Sequence, residues 1–110
     1  MAARANLDRT LAALADPKRR RVVELLRDGP RRAGELAEKV DVPRPAMSRH
    51  LRVLRNVGLV SEAHPEFDAR VRVYSLNAQP LAELKAWLDE TERLWTEQLA
   101  ALKAHLEGAP

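Results

Sequence analysis

The first half of the chain is a series of short amphipathic segments, each closed by a turn that contains Pro or Gly. Leucines at helical spacing predict a first helix over about residues 6–15. A second helix is expected to begin at Pro17, with Asp16 as its N-cap residue, and to end near Arg27. A short third helix is predicted over residues 33–40.

The turn after the third helix is tight and consists of Asp41-Val42-Pro43. It leads into a fourth helix over about residues 44–57, which Gly58 should close. The third and fourth helices are therefore expected to form a helix-turn-helix pair.

Two short Val-rich runs, residues 59–63 and 71–76, follow the fourth helix. They predict a β-hairpin with its turn over residues 65–69. Pro80 then opens a final helix, which reaches about Glu107 and would span roughly 42 Å.

The expected fold is therefore mainly α with a small β-hairpin, in the order α-α-α-α-β-β-α. We expect residues 1–78 to form the core and residues 79–110 to add a long C-terminal helix. With 110 residues, the chain fits one compact domain overall.

Residues 44–57 carry the most informative pattern, because a helical wheel divides them into two faces. One face is apolar except for His50, which we expect to be at least half-buried with a hydrogen-bond partner. The other is called here the arginine face, and its members are Arg44, Ser48, Arg49, Arg52 and Arg55. Such a helix can pack one side on its own core and offer guanidinium groups on the other. An ordinary exposed helix surface is the alternative.

The arginine face suits duplex DNA, because the major groove admits a helix and Arg can donate two hydrogen bonds to guanine. Pro45 lies at the N-terminal end of the helix, the end that usually approaches base edges in helix-turn-helix proteins. Groove contacts are therefore expected from the residues nearest that end: Arg44, Ser48 and Arg49. The two arginines farther along, Arg52 and Arg55, are expected to contact phosphate.

The predicted hairpin adds two more arginines. Arg70 and Arg72 would share one face of a strand, because side chains alternate with a period of two. From a hairpin that follows the fourth helix, they could reach phosphate or the minor groove. The alternative is a hairpin that only completes the core.

Charge is distributed unevenly along the chain, although the formal net charge is only +3. Residues 17–60 hold twelve Lys and Arg against five Asp and Glu, whereas residues 73–110 hold three against six. This asymmetry indicates one basic surface that faces a polyanion and one acidic surface with another function.

Several other classes of protein lack support in the sequence. The chain has no cysteine, which excludes disulfides and thiolate metal sites. No run approaches the ~18 apolar residues of a membrane span, and the first residues lack the apolar segment of a signal peptide, so a cytoplasmic location is expected. No enzymatic activity is expected, because no acid–base pair, phosphate-binding glycine loop or activated nucleophile is present.

The motifs along residues 7–78 resemble those of the ArsR/SmtB family of winged helix-turn-helix repressors. Five segments, in the family's order and spacing, carry the resemblance: Leu14-Ala-Asp-Pro-Lys-Arg-Arg-Arg-Val-Val-Glu-Leu-Leu, Gly34-Glu-Leu-Ala, Pro45-Ala-Met-Ser-Arg-His-Leu-Arg-Val-Leu, Gly58-Leu-Val and Val73-Tyr-Ser-Leu. The resemblance implies a homodimer that binds a near-palindromic operator in double-stranded DNA and blocks transcription, in some cases from its own promoter. It assigns DNA recognition to the fourth helix, positioning to the third, and the wing to residues 59–76.

The resemblance also implies a dimer interface built from the first and last helices. The last helix carries a long apolar stripe that one domain of this size could hardly cover alone, so self-association is the simplest way to bury it. The N-terminal part of that helix is expected to pack on its own domain. The residues expected in the interface are Leu7, Leu11, Leu84, Trp87, Leu88, Trp95, Leu99, Leu102 and Leu106.

The chain departs from the metal-sensing members of the family, which use a Cys-x-Cys motif near the positioning helix or Asp/His and His/Glu pairs on the last helix. Here Arg31-Arg32 precede the positioning helix, and the last helix has one histidine, His105, with Glu107 nearby. Borderline metals prefer several converging N and S ligands. The chain therefore looks more like the metal-independent branch, with no metal or cofactor expected and the inducer unidentified.

Two alternatives to a sequence-specific repressor stay open. The first is a winged-helix module that binds protein and has lost DNA binding, against which the arginine face argues. The second is a metal-responsive repressor.

Overall fold

The computed structural model describes residues 2–65, 68 and 70–108. It is mostly helical, with a small antiparallel sheet between the fourth and fifth helices and one short strand added before the third. In chain order the elements are α1 (Ala2–Leu14), α2 (Pro17–Leu26), β1 (Arg31–Arg32), α3 (Ala33–Val40), α4 (Arg44–Asn56), β2 (Val60–Ala63), β3 (Val73–Leu76) and α5 (Ala78–Gly108).

The start of α2 is fixed by the residue before it. Asp16 has an extended backbone, and its carboxylate accepts hydrogen bonds from the Lys18 N–H at 2.7 Å and the Arg19 N–H at 3.3 Å. Pro17 occupies the first helical position, where the N–H that it lacks has no partner within the helix. The prediction of this N-cap is confirmed.

The turn between α3 and α4 is closed by backbone hydrogen bonds. Asp41 has the left-handed conformation, with φ of 61°, and its N–H bonds to the Glu38 carbonyl. The Val42 N–H bonds to the Ala37 carbonyl, as in a Schellman motif. Pro43 has an extended backbone that leads directly into α4. The predicted helix-turn-helix pair is therefore confirmed.

The sheet has three strands in the order β1-β3-β2, all antiparallel. The predicted hairpin is β2 and β3, although these strands begin at Val60 and Val73, slightly later than expected. The predicted order omitted β1, in which Arg31 lies opposite Tyr74. A two-residue strand is too short to show alternation along the chain, so its pattern carried no signal.

The core lies where α2, α3 and α4 meet the sheet. Side chains that are at most 2% exposed include Val22 from α2, Leu36 from α3, Leu54 from α4 and Val60 from β2. Since α4 contributes its whole apolar face to this core, its opposite face must lie at the surface.

The last helix, α5, projects from this core. It begins at Ala78, two residues earlier than predicted, and none of its 31 residues is buried. Its beginning packs against α1. The radius of gyration is 19.3 Å, whereas a compact chain of this length would have about 13 Å. Most of α5 therefore lacks a packing partner among the described residues. No helix in the described ranges is both long enough and apolar enough to serve as a membrane span.

Candidate nucleic-acid interface

The two faces of α4 differ in burial. Met47, Leu51 and Leu54 are at most 1% exposed. The arginine face is at the surface, because the side chains of Arg44, Ser48, Arg49, Arg52 and Arg55 are all exposed, as is Pro45. The predicted division of this helix is confirmed, and α4 presents guanidinium groups on a rigid support.

Two arginines from other helices make hydrogen-bond contacts with α4. Arg9 of α1 donates a hydrogen bond of 3.0 Å from Nη2 to the Asn56 carbonyl at the last residue of α4. Arg19 of α2 lies with Nη1 3.5 Å from Nδ1 of His50, which is half-buried. The prediction that His50 is at least half-buried with a hydrogen-bond partner is therefore confirmed. The contributions of Arg9 and Arg19 had no signal in the sequence.

Glu62 of β2 connects α4 to the hairpin. Its Oε2 accepts hydrogen bonds from Nη1 of Arg55 at 2.5 Å and from the Tyr74 hydroxyl at 2.9 Å, and its Oε1 lies 3.3 Å from Nε2 of His64. We call these four residues the Glu62 cluster. One arginine of the arginine face is thus paired with a carboxylate of its own chain.

Electrostatics within the Glu62 cluster favour a charged carboxylate. Burial raises the pKa of Glu62, but the Tyr74 hydroxyl and the Arg55 and Arg72 guanidiniums more than offset it, so the pKa lies below its ordinary value. Burial, together with the adjacent Glu62 carboxylate, raises the pKa of Tyr74. The tyrosine therefore remains a hydrogen-bond donor at neutral pH.

Arg70 and Arg72 do not share a strand face, so that prediction is wrong. Strand β3 begins only at Val73, and both arginines lie in the segment before it. Asp68 holds Arg70 in a turn, because its Oδ1 accepts hydrogen bonds from the Arg70 backbone N–H at 2.9 Å and from Nε at 3.4 Å. Both side chains are nevertheless exposed. Residues 66, 67 and 69 of the predicted turn lie outside the described residues.

A groove lies between α3, the beginning of α4 and residues 70–72. Its basic lining residues are Arg32, Arg44, Arg70 and Arg72, and Glu35, Glu38 and Ser48 also line it. The guanidinium of Arg44 packs against Gly34 of α3: a Cβ built at Gly34 would lie 2.9 Å from Arg44 Nη2. Sequence reasoning did not assign a role to Gly34 or Arg32. A glycine inside a predicted helix was the one available signal for a close contact.

The residues predicted for a dimer interface are mostly exposed in the single chain. Leu7 and Leu84 are half-buried. Leu11 is 39% exposed, and along α5 the exposed fraction reaches 60% at Trp95 and 71% at Leu106. Such a row of large apolar side chains on one helix is unusual for a surface that faces only water. Among residues 2–65, 68 and 70–108, no group of three or more His, Asp or Glu side chains could hold a metal ion.

A helix-turn-helix supported by a three-stranded sheet, with arginines on the exposed face of its second helix, defines a winged helix-turn-helix transcriptional regulator. The family model described as bacterial regulatory protein, arsR family, matches residues 16–62. The chain belongs to this ArsR family of DNA-binding transcriptional regulators.

Individual relatives agree with this assignment. The chain is 45% identical over 92 residues to the HTH-type transcriptional regulator Rv2034 of Mycobacterium tuberculosis, covering 84% of this chain and 80% of that one. It is 29% identical over 82 residues to the transcriptional repressor SdpR of Bacillus subtilis, covering 74% and 88% of the two chains. The solved structure of an ArsR-like transcriptional regulator from Rhodococcus sp. RHA1 superposes with a TM-score of 0.78, at 28% identity and 94% coverage of both chains. These proteins are all named as regulators of transcription.

Proposed function

We propose that the chain is a homodimeric repressor that binds a near-palindromic operator in double-stranded DNA. The observation that carries this proposal is the contrast in exposure between the two faces of α4. The arginine face lies at the surface, whereas Met47, Leu51 and Leu54 on the other face are buried. An arginine-rich face that lies at the surface, opposite a buried apolar face, can enter a major groove without any rearrangement of the core. The relative SdpR is named as a transcriptional repressor, and this supports repression as the direction of regulation.

The proposed DNA contacts divide into two kinds. Ser48 and Arg49, in the first half of α4, would contact base edges in the groove, with Arg44 and Pro45 at the end of α4 that enters it. Phosphate contacts would come from the exposed arginines on either side: Arg52, Arg55, Arg70 and Arg72. This division predicts that Ser48 and Arg49 determine sequence preference and that the phosphate-contacting arginines support affinity for any duplex.

The proposed dimer is formed by α1 and α5. Residues 1–78 would act as the DNA-binding core and residues 79–110 as the dimerisation helix. The exposed apolar side chains of α5 supply the driving force, at about 25 cal/mol for each Å² of apolar surface removed from water. A two-fold axis between the protomers would place two copies of α4 in successive major grooves, roughly 34–36 Å apart. A bound dimer over a promoter in the bacterial cytoplasm would block transcription, and its own promoter is a natural target.

The direct test is selection of bound sequences from random duplex DNA by the purified protein. The expected result is a near-palindromic consensus with half-sites one helical turn apart. Arg49→Ala should weaken binding to that consensus by about tenfold or more and relax the preference at one position in each half-site. Arg93→Ala is the matched control, because Arg93 is an exposed arginine on α5 that pairs with Glu90 and Glu97 of its own helix. It removes the same charge far from α4.

Salt dependence gives a second test of the same proposal. If about six phosphates are contacted, affinity should fall by roughly 10³ between 50 and 200 mM salt. A protein that selects no sequence and binds duplexes without salt dependence would instead support a winged-helix module that binds another protein.

A further inference from the structure

Gly34 is the second residue of α3 and lies against the guanidinium of Arg44, the first residue of α4. A Cβ built at Gly34 would lie 2.9 Å from Nη2 and 3.4 Å from Cζ of Arg44. The first distance is shorter than side-chain carbons adopt in folded proteins, so any larger residue at this position would displace the guanidinium. The absence of a side chain at Gly34 is what lets Arg44 lie on the surface of α3.

The backbone conformation of Gly34 does not require a glycine. The residue lies within helical backbone, whereas the glycines with positive φ in the described structure are Gly29 and Gly58. Glycine is a poorer helix former than alanine, because it loses more conformational freedom on folding. The close approach of Arg44 therefore supplies the physical reason for a glycine in α3.

We infer that Gly34 is a positioning residue that holds the Arg44 guanidinium on the N-terminal turn of α3, where Arg44 contacts a phosphate of the DNA backbone. This inference rests on the proposed function, because it requires that the protein bind DNA. It assigns Arg44 to a phosphate, not to the base edge that the helical wheel favours.

The position of the guanidinium supports a phosphate as its ligand. In helix-turn-helix proteins the first helix of the pair crosses the DNA backbone, and here that helix is α3. The Ala33 N–H at the start of α3 already donates to the Arg72 carbonyl at 3.3 Å. The next N–H groups of the first turn lack partners within the helix, so this turn still favours an anion. Arg32, Arg70 and Arg72 line the same groove and add positive charge.

The acidic residues of the groove do not pair with Arg44. Glu35 pairs with Arg31. Among the ion pairs formed by the described residues, none includes Arg44 or Glu38. Arg44 therefore differs from Arg55, which a carboxylate of the same chain already holds. No carboxylate of the described residues therefore has to be displaced before the Arg44 guanidinium can bind an external anion.

The test compares Gly34→Ala, Arg44→Ala and the double variant in binding to the selected operator. Gly34→Ala should reduce operator affinity about three- to tenfold and leave the melting temperature unchanged or higher, because the displaced group is the end of a flexible side chain and alanine favours the helix. Arg44→Ala should reduce affinity about tenfold. The double variant should bind no more weakly than Arg44→Ala, because Gly34 acts only through Arg44.

Salt dependence identifies the ligand of Arg44. Removing one phosphate contact lowers the slope of log affinity against log salt by about 0.9, so Arg44→Ala should lower it by about two in a dimer. Affinity for non-specific duplex should fall in parallel with affinity for the operator. Gly108→Ala is the matched control and should change neither property, because no atom lies within 4 Å of a Cβ built at the exposed Gly108.

Three results would overturn the inference while leaving the proposed function intact. The first is Gly34→Ala binding the operator as tightly as the unaltered protein. The second is Gly34→Ala weakening binding equally when Arg44 is already absent. The third is Arg44→Ala leaving the salt slope unchanged and relaxing the preference at one base pair. Failure of the unaltered protein to bind any duplex is a different result, because it would remove the proposed function itself.

Discussion

Glu62 and Tyr74 lie directly opposite each other on β2 and β3, and the Tyr74 hydroxyl donates a hydrogen bond of 2.9 Å to the Glu62 carboxylate. The same carboxylate oxygen accepts from Arg55 of α4. A cross-strand pair in the wing is thus tied to the helix that carries the arginine face. The wing and α4 therefore keep a fixed relative position, and the charge of Arg55 is partly neutralised in the free protein.

Glu62→Gln should strengthen binding to non-specific duplex. The substitution releases Arg55 and removes a negative charge near the phosphates, so affinity should rise about threefold or more at low salt. The slope of log affinity against log salt should steepen by about 0.9 for each arginine released. Titration of a labelled random duplex at several salt concentrations measures both effects. Glu24→Gln is the control, because Glu24 pairs with Arg21 on the exposed side of α2, and its loss changes net charge equally. Affinity and a salt slope that both stay unchanged on Glu62→Gln would show that Arg55 does not approach DNA.

Tyr74→Phe should destabilise the fold by about 1.5 kcal/mol, because it removes a hydrogen bond to a charged and mostly buried carboxylate. Tyr74 is only 4% exposed, and phenylalanine keeps the ring that fills this part of the core. Urea unfolding at one fixed protein concentration measures the loss. In the Glu62→Gln background the cost should be smaller, since the acceptor is then neutral. An equal cost in both backgrounds would mean that the hydroxyl bond to Glu62 contributes little.

Acid should selectively remove the contribution of Glu62 to stability. Its pKa in the folded chain lies below the ordinary value of 4.5, so the folded state binds the proton less readily than the unfolded state. The stabilisation is therefore fully present above pH 4.5 and is lost as the pH falls through the lower folded pKa. The difference in urea midpoint between the unaltered protein and Glu62→Gln should stay constant from about pH 6 to 8 and shrink below about 4.5. A difference that persists unchanged in acid would contradict this assignment.

Asp16→Ala should destabilise the protein by about 1 kcal/mol, because two N–H groups at the start of α2 lose their acceptor. Asp16→Asn should retain most of the stability, since the amide oxygen can still accept these bonds. Thermal and urea unfolding of the two variants at equal concentration make the comparison. Equal loss in both variants would instead point to the ion pair between Asp16 and Arg19.

Leu102→Glu should convert the proposed dimer to a folded monomer. Leu102 is 54% exposed on α5, and a carboxylate there would have to be buried without a partner in the dimer. Analytical ultracentrifugation should give a mass near 12.4 kDa for the variant, and about twice that for the unaltered protein. Ala100→Glu is the matched control, because it adds the same charge on the opposite face of α5. A monomeric mass for the unaltered protein would contradict the proposed interface.

The helices that build the DNA-binding unit were predictable because their signals are local. Asp16 and Pro17 mark the start of α2 through their own side-chain chemistry. The two faces of α4 follow from the helical period, since Met47, Leu51 and Leu54 recur on one side. Half-burial of His50 followed in the same way from its position among those apolar residues.

The remaining features depend on contacts between residues far apart in the chain. Strand β1 forms because Arg31-Arg32 lies beside an edge of β3 and pairs with it. The residue types of that dipeptide do not predict this pairing. Arg70 and Arg72 leave the strand face because Asp68 holds the preceding turn.

Local patterns in the sequence therefore predict which segments are helical, which face of α4 is buried and which helix carries an apolar stripe without a partner among the described residues. These properties depend on residue type and period within one segment. Contacts between distant elements determine that Arg55 is held by Glu62, while Arg44 lies over Gly34 without an ion pair among the described residues. The helical period places both arginines on the exposed face of α4 but does not predict their partners, because those partners belong to elements far away in the sequence.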